Sequence, residues 1–139
     1  MNKIASSVVK PLAGQWKCQV VSSGQHHYLT DEPPRLDGQD QGPSPYDLLT
    51  GSLAACTMIT LRMYAKHKGI DLGDFAVEAD FHCDRDNQEW IERRIVFANL
   101  PDAALQERIL NVCGKTPVTK TLLRSLSITT HIVSKESLQ

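Results

Sequence analysis

The stretch "GPSPYDLLTGSLAACTMITLRMYAKHKG", residues 42–69, decides the fold because it carries the start, the length and the end of one long helix. Ser44 is a favourable N-cap, Pro45 suits the first helical position, and Asp47 lies three residues after the cap. Basic residues fill the last turns, and Gly69 follows as a stop signal. Between these ends the pattern is apolar nearly all round, which predicts a helix enclosed on most sides.

The segment before this helix predicts short strands followed by a long loop. Three strand-like segments within residues 3–29 are separated by proline and glycine turn signals. Residues 30–43 contain three prolines, and their composition excludes a regular element. A loop of this length in a compact domain is usually functional or disordered, and Arg35 is its only cation.

The segment after the helix predicts a hairpin, further helical turns and a last strand. Residues 73–84 alternate between apolar and polar side chains, and residues 88–98 form the expected antiparallel partner. Asp102 is the N-cap of a second helix, and Pro117 starts a fresh turn after a glycine interruption. Residues 125–134 read as a final strand. The order β-β-β-α-β-β-α-α-β is an α+β pattern with antiparallel sheets.

Composition indicates one globular domain over residues 1–139. Hydrophobic residues make up 41% of the chain, which is too apolar for a disordered protein. A net charge of -1 gives no wide basic surface, so nucleic-acid binding is not expected. The N-terminus has no apolar segment of signal-peptide length, and polar residues interrupt the long helix, so we expect a cytoplasmic protein with no membrane span.

Cys56, in the middle of the long helix, is the first candidate for chemistry. One interpretation is a small buried packing residue, since free cysteine is often buried. The other is a nucleophile, which needs a nearby cation to become a thiolate near neutral pH, and Arg35 could supply that cation if its loop folds back over the helix. Asp47 and Tyr46 lie on the same helix but more than two turns away, so neither is a convincing local base.

The other cysteines and the histidines predict no metal site. The four cysteines, Cys18, Cys56, Cys83 and Cys113, form no CxxC pair. In the cytoplasm they should rest as thiols. The five histidines have no zinc-binding spacing, and no cofactor fingerprint occurs in the chain. Cys113 is either a helix-end packing residue or a resolving thiol for an oxidised Cys56.

Two motifs resemble the OsmC/Ohr family of osmotically inducible and organic-hydroperoxide-resistance proteins. "GPSPYDLLTGSLAACTMITLRMYA" resembles the family's central helix. "TPVTKTLL" resembles its second motif, which usually reads Cys-Pro-Val followed by a basic residue, Thr and Leu. The element order agrees, so the resemblance covers about residues 5 to 135.

The resemblance implies an OsmC-like fold, with two central helices wrapped by antiparallel β-sheets in an interlocked homodimer. In the family's peroxidases, one thiolate attacks the O–O bond of a small hydroperoxide and becomes a sulfenic acid. A second cysteine condenses with it to a disulfide, and an external thiol or dithiol restores both. An arginine from the loop before the helix holds the thiolate, and a glutamate near the helix start orients that arginine.

Carried onto this chain, the resemblance assigns the peroxidatic position to Cys56 and makes Arg35 the candidate arginine. The glutamate position falls on Tyr46, so that role is either lost or taken by Asp47. The second cysteine aligns with Thr116, which cannot resolve a sulfenic acid. We therefore expect Tyr46, Asp47 and Thr116 at the substrate site.

Cys113 lies three residues before Thr116, one helical turn back if the helix continues, and it could take over resolution. The expected function is a thiol-dependent peroxidase that reduces organic or hydrogen peroxide through Cys56 in oxidative or osmotic stress defence. The alternative is a non-catalytic dimer of the same fold that binds a small apolar or thiol-reactive ligand. The missing glutamate at Tyr46 and the missing second cysteine at Thr116 favour that alternative.

Overall fold

A computed structural model describes residues 2–135 of the chain, and its elements follow the order expected from the sequence as far as the last helix. The strands and helices are β1 (Ser7–Pro11), β2 (Cys18–Ser22), β3 (His26–Thr30), α1 (Pro45–Lys68), β4 (Phe75–Cys83), β5 (Glu89–Phe97), α2 (Ala103–Cys113) and α3 (Pro117–Leu122). A single 3₁₀ turn, Pro34–Leu36, interrupts the loop between β3 and α1.

The first three strands form an antiparallel sheet that has almost no core of its own. The strand order is β1-β2-β3, with residues 12–17 connecting the first pair and a short turn over residues 23–25 connecting the second. β1 is exposed along its whole length, and Val20 of β2 is the one buried residue in these three strands. The sheet makes no extensive contact with a described helix or with the β4–β5 hairpin. Both faces of this sheet therefore remain largely uncovered within one chain.

The long helix α1 begins and ends where its sequence signals predict. The Ser44 side chain accepts a hydrogen bond from the Asp47 N–H at 3.2 Å. The Asp47 carboxylate accepts from the Ser44 N–H at 2.9 Å, which completes a capping box. Gly69 ends the helix with φ of 66°, a left-handed conformation that glycine adopts without a side-chain clash.

The Ser44→Ala variant should lower the free energy of unfolding by about 1 kcal/mol, because an N–H at the start of α1 loses its acceptor. Urea unfolding followed by circular dichroism measures the change. The control is Ser52→Ala, since Ser52 is exposed in the helix and its hydroxyl donates, among the described residues, to the Leu49 carbonyl alone. Equal unfolding midpoints for wild type and Ser44→Ala would show that the cap contributes nothing.

The expectation that α1 is enclosed on most sides is wrong for the single chain. One row is buried, consisting of Leu53, Thr57, Leu61 and Ala65. Other apolar residues of the helix remain exposed, and Met63 is 66% exposed. The reason is that β4, α2 and α3 cover only one side of the helix.

By length and composition, α1 also meets the criterion for a membrane-crossing helix, and it is the one helix of the described chain that does. The buried row, however, includes Thr57, whose hydroxyl accepts a hydrogen bond from Arg93 of β5. We therefore interpret α1 as a core helix that is partly covered by its own chain.

The hairpin of β4 and β5 is confirmed, and it supplies the surface on which α1 rests. The two strands pair antiparallel from Phe75 opposite Phe97 to Cys83 opposite Glu89. Phe75 and Phe97 stack with ring centroids 5.4 Å apart. They pack against a buried cluster formed by Leu61, Ala65, Leu72, Ile109 and Cys113. The core of the chain therefore lies between α1, the hairpin and α2.

The predicted last strand over residues 125–134 is wrong for the described chain, because this segment has no regular secondary structure. Its apolar residues remain exposed, and Ile128 is 86% exposed. A strand forms only where another strand offers free N–H and C=O groups, so an apolar pattern alone is not sufficient. None of the five described strands takes this segment as a neighbour.

Candidate functional site

Cys56 lies at the border between the core of the chain and the uncovered side of α1. It is seven residues after Leu49 and seven before Met63, so the three side chains lie within about 40° of one another around the helix. Leu49 lines a cleft, whereas Met63 is exposed. The Cys56 thiol is half-buried, and within residues 2–135 it has no hydrogen-bond partner. Cys56 is therefore only partly covered by its own chain, unlike the fully buried Thr57 beside it.

The loop that carries Arg35 is organised around the buried carboxylate of Asp31. This carboxylate accepts backbone N–H bonds from Glu32, Gln39 and Gln41, at 2.8, 3.2 and 3.2 Å. Burial opposes ionisation of Asp31, but the three N–H donors outweigh it and hold the pKa of this carboxyl below its usual value. The loop is therefore held together by an ionised group at its base.

Arg35 itself is exposed in the 3₁₀ turn of this loop. No described residue forms a hydrogen bond or ion pair with its side chain. The turn is attached to the N-terminal sheet, since the Trp16 indole N–H donates to the Leu36 carbonyl at 3.2 Å. The pairing of Arg35 with Cys56 stays a prediction.

Tyr46 and Asp47 have different surroundings at the start of α1. The Tyr46 ring stacks on Phe81 of β4, with centroids 4.5 Å apart and an interplanar angle of 28°. Phe81 lines the same cleft as Leu49, so Tyr46 lies beside the cleft. The Asp47 carboxylate accepts the Ser44 N–H in the capping box. A role for either residue in substrate binding stays a prediction.

Cys113 and Thr116 are both buried, but in different surroundings. Cys113 is 3% exposed and belongs to the apolar cluster with Leu61 and Ile109. Burial raises the pKa of its thiol, and the charge of Arg93 opposes this only in part. Thr116 is fully buried, and its hydroxyl lies 2.6 Å from the Thr119 hydroxyl. Cys113 therefore has the surroundings of a packing cysteine in this structure.

Arg93 of β5 is the residue that the sequence interpretation missed. Its Nη1 donates to the Thr57 and Thr119 hydroxyls at 2.9 and 2.8 Å, and its Nη2 donates to the Cys113 carbonyl at 3.0 Å. These contacts join β5 to α1, to the end of α2 and to α3. The available signal was the strand alternation, which places Arg93 on the same face as Ile91 and Ile95, toward the core.

The polar partners of Arg93 are all neutral. The three acceptors are two threonine hydroxyls and one carbonyl. Within the described part of the chain, no carboxylate oxygen lies within 4.0 Å of its guanidinium. Its neighbour Arg94 faces the other side of the hairpin and pairs with Glu78 and Asp80. Arg93 is thus a half-buried cation without a described counter-ion.

A cleft of about 570 Å³ opens beside Arg93, between α1, the hairpin and α3. Its walls are mainly apolar, with Leu49, Leu53, Phe81, Ile91, Leu122 and Leu123 among the lining residues. Polar groups come from Arg93 and Thr119, and Glu89 also lines the cleft. An apolar cleft with a few convergent polar groups is typical of small-molecule sites.

The family model of the "OsmC-like protein" matches residues 38–131, which is more than half of the chain. The chain belongs to the OsmC-like protein family. The matched region includes α1, the hairpin, α2 and α3, together with the cleft between them. Among curated protein sequences, none matches this OsmC-like chain.

Solved structures show the same fold. A Psychrobacter arcticus protein, named provisionally as an osmotic stress induced and detoxification response protein, has a TM-score of 0.71 at 22% identity, with 87% of this chain and 90% of that chain covered. The organic hydroperoxide resistance protein OsmC of Legionella pneumophila gives 0.64 at 14%, covering 86% and 89%. The organic hydroperoxide resistance protein OhrB of Bacillus subtilis gives 0.58 at 18%, covering 86% and 90%. The predicted α+β, OsmC-like fold is confirmed.

The histidine, cysteine and acidic side chains of this OsmC-like chain are dispersed. Among the residues that the structure describes, no three of them come together as a metal site.

Proposed function

We propose that this OsmC-like chain is a thiol-dependent peroxidase in which Cys56 reduces organic or hydrogen peroxide in cytoplasmic stress defence. The observation that carries the proposal is a half-buried cysteine that has no hydrogen-bond partner among residues 2–135 and lies three positions after Leu53, which lines the apolar cleft. Similar structures that are named organic hydroperoxide resistance proteins support it.

The reaction needs one nucleophilic sulfur and an external thiol. The Cys56 thiolate attacks the outer peroxide oxygen, the O–O bond breaks, and the alkoxide leaves and takes a proton to become an alcohol. The resulting sulfenic acid condenses with one external thiol, which releases water and forms a mixed disulfide. A second thiol, or the other arm of a dithiol, then restores Cys56 and carries away the disulfide.

We favour an external thiol over Cys113 as the group that resolves the sulfenic acid. Thiolates, not thiols, attack sulfur, and burial raises the pKa of the Cys113 thiol. Cys113 also packs in the apolar cluster, whereas Cys56 lies on the border of the core. Resolution by Cys113 would therefore require its thiol to ionise while buried in the apolar cluster.

The proposed active form is a homodimer. One chain leaves three apolar surfaces uncovered, namely the N-terminal sheet, the side of α1 that carries Met63, and the segment 125–134. Soluble monomers rarely expose such extensive apolar surface. A second copy could cover them and bring a loop with Arg35 against Cys56, where its charge would favour the thiolate.

Trapping the sulfenic acid tests the proposal directly. The reduced protein is mixed with a small excess of cumene hydroperoxide and dimedone, and the modified peptides are identified by mass spectrometry. We expect the dimedone adduct on Cys56 in wild type and in Cys83→Ser, which removes an exposed thiol that does not line the cleft. A disulfide between Cys56 and Cys113 instead would identify Cys113 as the resolving residue. Absence of any oxidation at Cys56 would contradict the proposal.

A second candidate is a non-catalytic dimer that binds a small apolar or thiol-reactive ligand. The buried hydroxyl of Thr116, which stands at the cysteine position of the second motif and lies 2.6 Å from the Thr119 hydroxyl, favours it. This candidate predicts an unoxidised Cys56 in the trapping experiment and ligand binding that survives in Cys56→Ser.

A further inference from the structure

Arg93 carries a positive charge that its own contacts leave unbalanced. A guanidinium stays protonated in proteins and offers five N–H donors. Three donate to Thr57, Thr119 and the Cys113 carbonyl, and the described residues accept none of the remaining two. Those three bonds also fix the position of the guanidinium, so a ligand would meet a preorganised donor.

The cleft places apolar surface directly beside this charge. Leu49 and Leu53 of α1 form one wall, and Leu122 and Leu123 follow on the α3 side. A guanidinium recognises a carboxylate through paired N–H donors, and the resulting bond is stronger than one between neutral groups. The cleft therefore suits a ligand with an anionic head and an apolar body.

We propose that this cleft binds an amphipathic monocarboxylate, with its carboxylate on Arg93 and its hydrocarbon chain along the leucine walls. The site differs from the peroxide chemistry proposed above, because it requires neither Cys56 nor an oxidant. The bound carboxylate would form an ion pair with Arg93, sheltered from water by the walls of the cleft. Binding would also place the ligand between α1 and α3, which the Arg93 contacts already join.

Glu89 restricts the ligand to a single negative charge. Glu89 lines the same cleft and lies four residues before Arg93, on the same face of β5. This spacing places the two backbone positions about 13 Å apart along the strand. A second carboxylate directed toward Glu89 would be repelled, so a dicarboxylate of equal length should bind less well.

Isothermal titration of the protein with three eight-carbon compounds tests the charge requirement without any mutation. Octanoate should bind at one site per chain, at least about tenfold more tightly than octanol, because the charge-assisted bond is absent from the alcohol. Octanedioate should bind more weakly than octanoate. Equal affinities for octanoate and octanol would overturn the proposal. Absence of octanoate binding would also overturn it, and this is the result expected if a carboxylate of a partner chain already pairs with Arg93.

A matched pair of variants tests the residue. Arg93→Met should weaken octanoate binding at least about tenfold, whereas Arg94→Met, an adjacent arginine on the opposite face, should leave it unchanged. Leu122→Trp narrows the cleft and keeps Arg93, and it should also weaken octanoate binding. It serves as the test if Arg93→Met does not fold. Unchanged affinity in both folded variants would contradict the assignment. Cys56→Ser should bind octanoate like wild type, which separates this site from the peroxidase.

Discussion

Cys56→Ser should abolish peroxide consumption, with a loss of at least about a thousandfold, because the variant lacks the only sulfur of the chain that takes part in the proposed reaction. A serine hydroxyl in the same place is not ionised near neutral pH and is a far weaker nucleophile toward the O–O bond. The measurement is the rate of cumene hydroperoxide loss with dithiothreitol or dihydrolipoamide as reductant.

The control for this prediction is Cys113→Ala, chosen because alanine adds no polar group to the apolar cluster. With a dithiol present, this variant should keep the wild-type rate within about twofold, since the external dithiol resolves Cys56 in its place. If Cys113→Ala loses the activity while its circular dichroism spectrum is unchanged, resolution belongs to Cys113. If Cys56→Ser keeps the activity, another group performs the reduction.

The elements that the sequence predicted correctly are those whose signals are local. The capping box of Ser44 and Asp47 and the stop at Gly69 are satisfied by neighbouring backbone groups, and they give the bounds of α1 directly. The turn after Cys83 likewise forms between adjacent strands. Such features need no knowledge of the rest of the fold.

The errors concern surfaces that distant parts of the protein must cover. The pattern of α1 is apolar on nearly every side, but one chain buries only the row through Leu53 and Leu61. Residues 125–134 have the apolar content of a strand and meet no strand edge in the described chain. A sequence pattern reports which side chains disfavour water, but not which molecule covers them.

The candidate site could be predicted only in part for a similar reason. Cys56 became the candidate nucleophile because the motif around it is specific, and its role stays a prediction. Arg93 was missed because its importance depends on Thr57, on Thr119 and on the end of α2, which lie far from it in the sequence. The alternation of β5 places an arginine on the inward face, and that departure from the expected apolar residue was the one warning in the sequence.

The Met63→Glu variant should weaken the proposed homodimer by at least about a hundredfold in its dissociation constant. Met63 is 66% exposed in one chain, and burial of such a side chain in a partner contributes about 1.5–3 kcal/mol. In a twofold-symmetric dimer the substitution occurs twice, and each glutamate would enter an apolar interface without a partner. Sedimentation velocity over a concentration series measures the effect.

The matched control is Ala104→Glu, which adds the same charge at an exposed position in the first turn of α2, where an acidic residue is favourable. It should remain dimeric. A wild-type protein that sediments as a monomer at micromolar concentration would contradict the dimer, and an unchanged Met63→Glu dimer would exclude this side of α1 from the interface.

Met63 lies seven residues after Cys56, on the same side of α1. Monomeric Met63→Glu should therefore also lose peroxide consumption if a second copy supplies the cation that the Cys56 thiolate needs. A fully active monomer would show instead that Arg35 of the same chain, or no arginine at all, activates Cys56.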